Sequence, residues 1–123
     1  MSRPSLRAGL MASLTAAVLT VTALAHAAGS PASRGAADWV RSQPGSDGTL
    51  RSCVTCHGED PRRPGRHATT GKAIAPLAPS AQPDRFSDPD KVEKWFKRNC
   101  TWTWGRECTP QEKTDFLTYL RSL

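Results

Sequence analysis

Cys53-Val54-Thr55-Cys56-His57 places two thiols three positions apart, with an imidazole directly after the second. At that spacing both sulfurs can add across the two vinyl groups of a haem, and the histidine supplies the proximal iron ligand. Two other chemistries use a paired thiol. Zinc would need a fourth donor, such as His67, beside Cys53, Cys56 and His57. A redox dithiol usually sits at a strand-to-helix junction of an alternating α/β pattern, which is missing here. The adjacent histidine therefore points to one covalently attached haem c, on Cys53 and Cys56, with His57 on the iron.

The sixth iron position is the harder question. The chain's two methionines are Met1 and Met11, both in a segment that reads as removable. The remaining candidates are His67, a lysine such as Lys72 or Lys97, Asn99, or nothing. His67 would give a low-spin, bis-histidine electron carrier, but it follows His57 closely and would have to reach the other haem face. Asn99 directly precedes Cys100 and lies between a predicted helix end and a predicted hairpin. Composition alone makes it an ordinary helix C-cap.

Residues 1–27 have the form of a secretory signal peptide. Arg3 and Arg7 give a basic start, Leu10 to Leu24 is mostly apolar, and Ala25-His26-Ala27 offers a cleavage site. Export to the periplasm follows, leaving residues 28–123 as one monohaem domain. In an oxidising compartment Cys100 and Cys108, the cysteines outside the haem motif, default to a disulfide. The formal net charge of +6 is scattered rather than clustered. It gives no support to nucleic-acid binding and suits, at most, an acidic protein partner.

The elements that must hold these residues are mostly helical. Ser33 is expected to cap a helix to about Ser42 that carries Trp39. Pro-Gly and Asp-Gly within 43–48 mark turns. Residues 59–87 are proline-rich and aperiodic, a long loop whose purpose would be to wrap a haem edge. Asp88-Pro89-Asp90 starts a helix to about Arg98 that buries Val92, Trp95 and Phe96. Cys100 to Cys108 alternates and contains a glycine, which predicts a tight hairpin. Thr109-Pro110-Gln111-Glu112 is a capping box opening a last helix to about Arg121, with Phe116, Leu117 and Leu120 on its apolar face. The expected fold is all-α, a small class I cytochrome c-like domain with a disulfide-closed hairpin. Its first and last helices cross through Trp39 and the Phe116/Leu120 face.

In class I cytochromes c a proline-leucine step orients the proximal histidine and packs the haem face. Ala75-Pro76-Leu77 resembles that step, which would give the Pro76 carbonyl the His57 proton and place Leu77 on the haem. From residue 51 to about 120 the chain also resembles the SHP (sphaeroides haem protein) family of high-spin monohaem cytochromes c. The resemblance rests on Cys53 to Gly58, Thr70-Gly71-Lys72, Pro76 to Ser80, Arg85 to Asp88, Lys91 to Phe96, Arg98-Asn99-Cys100 and Gly105 to Thr109. It implies that Asn99 ligates ferric iron and that Cys100 and Cys108 are bonded. It also implies a dihaem cytochrome c as electron donor with a membrane cytochrome b upstream. An asparagine amide is a weak neutral ligand that suits ferric better than ferrous iron. Reduction should free the site for O2, NO or CO, and the released NH2 could hydrogen-bond such a ligand. Trp102 and Trp104 could wall that side. The rivals are a plain low-spin electron-transfer cytochrome and a haem enzyme acting on O2 or NO. No distal acid–base pair for peroxide cleavage is evident, so catalysis is not assigned.

Overall fold

The computed structural model describes residues 29–123. The proposed signal peptide lies outside the described residues. Four helices carry the domain: α1 (Pro31–Val40), the single turn α2 (Val54–His57), α3 (Pro89–Trp104) and α4 (Pro110–Arg121). Two small antiparallel pairs, β1 (Gln43–Pro44) with β2 (Leu50–Arg51) and β3 (Gly65–Arg66) with β4 (Ala73–Ile74), fold the connecting loops back on themselves.

Helix α1 begins earlier than the sequence suggested. Ser30, not Ser33, is the N-cap; its hydroxyl accepts from the Ser33 amide at 3.1 Å and Pro31 takes the first turn. Ser33 is thus the residue being capped, and the start is set by the Ser-Pro pair. The long helices α1 and α4 pack together at Gly35. A Cβ there would lie 2.7 Å from the Asp115 carbonyl carbon and 2.8 Å from Tyr119 Cβ, so only glycine permits the approach. Beside it Arg34 grips the buried Asp115 with Nε and Nη2, each at 2.8 Å. Trp39 stacks at a tilt on Tyr119, 5.6 to 6.1 Å separating its ring from those of His57 and Tyr119. The expected crossing of first and last helices is present, and α4 carries the expected capping box between Thr109 and Glu112.

The predicted hairpin after Asn99 is not formed. Helix α3 continues unbroken through Cys100 to Trp104 and ends on Gly105, which adopts the left-handed conformation of a C-cap. Two facts of the sequence explain this. Cys100 and Trp104 stand four apart, one above the other on the helix face, and both are buried in the core. The first residue able to stop the helix cheaply is Gly105. The Cys100–Cys108 disulfide, with Cα atoms 5.6 Å apart, therefore ties the last turn of α3 to the loop before α4. Around it Trp39, Trp104, Phe116 and Leu120 complete the core.

The long loop 59–87 is anchored rather than slack. The Pro61 carbonyl accepts from both Leu77 and Ala78 amides, at 2.9 and 3.0 Å, and Ala78 is fully buried. The β3–β4 pair rests on the haem-motif turn at Gly65, where a Cβ would come within 2.8 Å of His57 Cα.

Candidate haem site

One large cavity, about 1270 Å³, collects the residues that the sequence singled out. Ordinary small-molecule sites measure roughly 300–1,000 Å³, so this one suits a large ligand. From the α2 side come Cys53, Cys56 and His57; from α3 come Val92, Trp95, Phe96 and Asn99; from the loops come His67, Leu77 and Phe86.

Trp39 fixes the α2 turn. Its indole N–H donates to the Gly58 carbonyl at 3.0 Å, directly after the motif, and its ring lies 5.6 Å from that of His57. Burial, with a smaller contribution from the Arg85 charge, pushes the His57 pKa down to about 4. The imidazole is therefore neutral at physiological pH, the form that ligates a metal. Burial raises the Cys53 thiol to about 12. A redox dithiol needs the opposite shift. A zinc site also fails to assemble: among the described residues no group of three or more His, Cys, Asp or Glu is arranged to hold an ion. A wide cavity holding two thiols and one neutral imidazole from a single turn fits a covalently held macrocycle.

Leu77 lines the cavity and packs on the core. Pro76 precedes it. Its carbonyl accepts from Arg85 Nε at 2.7 Å, and Arg85 also reaches the Ala75 carbonyl at 3.3 Å. Among the hydrogen bonds of the described residues none joins His57 to Pro76.

Asn99 is not a helix cap. It sits inside α3, with Val92, Trp95, Phe96 and Thr103 on the turns before and after it, all lining the cavity. Asparagine is a poor helix-interior residue, and its side chain has no partner among the hydrogen bonds of the described residues. The disulfide begins at the next residue. Of the two tryptophans, Trp104 is core: it is buried and its N–H donates to the Arg41 carbonyl at 3.2 Å. Trp102 faces the cavity.

Sequence reasoning missed the group behind Trp102. The buried Arg51 stacks over the Trp102 ring at 4.0 Å and is held by Asp47 through two bonds of 2.6 and 2.7 Å. That pairing holds the Asp47 carboxyl well below the usual range. The Asp-Gly turn at 47–48 was legible; that it aims a carboxylate at Arg51 was not.

Comparison with known proteins agrees with this geometry. A family model described as Domain of unknown function (DUF1924) matches residues 25–120. Over 96 residues the chain is 54% identical to cytochrome c-type protein SHP of Cereibacter sphaeroides, covering 76% of this chain and 74% of that protein. The chain belongs to the SHP family of high-spin monohaem cytochromes c. It is a c-type cytochrome that carries covalently attached haem c. The structure of oxidized SHP, an oxygen-binding cytochrome c, superposes with a TM-score of 0.69 at 53% identity, over 75% of this chain and 81% of that one. Cytochrome c'' of Methylophilus methylotrophus is 42% identical over 73 residues, covering 59% of this chain and 51% of that protein. Its oxidized crystal structure gives a TM-score of 0.66 at 37% identity, over 73% of each chain.

Proposed function

We propose that this family member is a periplasmic cytochrome that accepts electrons and binds diatomic ligands at a redox-gated sixth haem position. When bound, the haem supplies an iron that cycles between ferric and ferrous states and can take a sixth ligand. Cys53 and Cys56 hold it, and neutral His57, backed by Trp39, is its proximal ligand. Asn99 is the sixth ligand in the ferric state only. The single observation that carries this reading is the place of Asn99: an unpartnered amide inside an apolar helix face, turned to the haem cavity and fixed by the disulfide beside it.

Chemistry favours the gate. A neutral amide holds ferric iron more firmly than the softer ferrous ion, so reduction leaves the position to O2, NO or CO. Oxygen binding by SHP itself supports the reading, as does a solution structure of cytochrome c'' concerned with haem-ligand detachment. The electron donor is a dihaem cytochrome c served by a membrane cytochrome b, and residues 1–27 direct export. Asn99→Ala should change the ferric absorption and spin state while haem stays attached. An unchanged ferric spectrum would remove Asn99 from the iron.

A further inference from the structure

His67 lines the same cavity as Asn99. It opens the β3–β4 turn, with its amide donating to the Lys72 carbonyl at 2.8 Å and its carbonyl accepting from Gly71 at 2.9 Å. Its ring is held too: Nδ1 accepts from the amides of Thr69 and Thr70, both at 3.2 Å. A ring nitrogen that accepts has a lone pair, so in the neutral imidazole the proton is on Nε2. To ligate iron through Nε2 the ring would have to exchange tautomers and break both bonds. The ring lies 5.7 Å from that of Trp102. Trp102 stands three residues after Asn99 on α3, hence beside it on the helix surface. Arg51, stacked on the far partner of this contact at 4.0 Å, keeps Trp102 in place.

From this juxtaposition we infer that His67 is a specificity-determining residue: its Nε2–H is a fixed hydrogen-bond donor to the small ligand that occupies the Asn99 side of the cavity, favouring polar O2 over CO. The inference rests on the ligand-binding reading above. Its components are independent of Asn99, and the His67 donor is anchored at backbone and ring. Ligands that accumulate negative charge on the distal atom gain from such a donor; CO gains little.

The test uses the haem-loaded protein and its His67→Phe variant, which keeps an aromatic ring against Trp102 and removes the N–H. O2 should dissociate roughly threefold to tenfold faster from the variant, about the worth of one hydrogen bond, with CO dissociation changed less than twofold. The C–O stretch should move to higher frequency. In the wild type, nitrogen NMR should find the His67 proton on Nε2. Equal changes for O2 and CO, or none, overturn the donor, as does a proton on Nδ1. A wild type that binds neither gas refutes the ligand-binding reading itself and the donor with it, so the two failures are told apart.

Discussion

Replacing Gly35 with alanine sets two effects of opposite sign against each other. In a helix interior the exchange alone should stabilise by about 1 kcal/mol. The new methyl, however, would meet the backbone of Asp115, the carbonyl oxygen closest of all and the carbonyl carbon at 2.7 Å, and Tyr119 Cβ at 2.8 Å. None of these is the end of a flexible side chain. Helix α1 must move away from α4 by about an ångström, and overpacking of that kind costs ~1–3 kcal/mol. The shift also opens the Arg34 fork on Asp115, whose side chain is only 4% exposed, and a charged hydrogen bond of that sort is worth ~1.5–3 kcal/mol. The net loss is about 1.5–5 kcal/mol. For a domain of this size each kcal/mol is worth roughly 4–8 °C, so Tm should fall by at least about 6 °C in calorimetry of the haem-loaded protein. A Tm unchanged or raised, as helix propensity alone would give, would refute the close crossing.

Removing the disulfide by Cys100→Ser with Cys108→Ser should cost ~2–3 kcal/mol for a loop this short; thermal unfolding measures the loss, and the ferric spectrum should broaden as Asn99 loosens. Trp39→Phe, which deletes the 3.0 Å bond to the Gly58 carbonyl, should cost about 1 kcal/mol in the same assay, whereas a neutral outcome would mean that the indole does not hold the α2 turn. Glu112, bonded by Arg106 and Arg41, has its pKa lowered to about 2. Its contribution, at most about 3 kcal/mol, is complete above the unfolded pKa near 4.5 and is lost as pH falls towards 2. Acid titrations of wild type and Glu112→Gln should converge at the low end of that window.

Much of the site was legible because its chemistry is local. C-x-x-C-H needs only one helical turn, and the capping box of α4 is complete within Thr109 to Glu112. The α1–α4 crossing could be anticipated from Trp39, Phe116 and Leu120. What escaped depends on distant partners. The alternation Thr-Trp-Thr-Trp after Cys100 imitates a strand, but burial of Cys100 and Trp104 on one helix face overrides it. Arg85 donates to the Pro76 carbonyl, and a guanidinium's reach cannot be read from its position in the chain. Arg51 is buried against Trp102 although arginine normally marks surface. Gly35 gave no local sign that it lies at a helix crossing.

The central claim is that the sixth position is closed by Asn99 in the oxidised protein and open in the reduced one. The most direct measurement is the absorption spectrum of the reduced protein, before and after CO, in one cuvette. A high-spin ferrous spectrum that converts at once to the CO form is predicted. A low-spin ferrous spectrum indifferent to CO would contradict the account and leave a plain electron carrier.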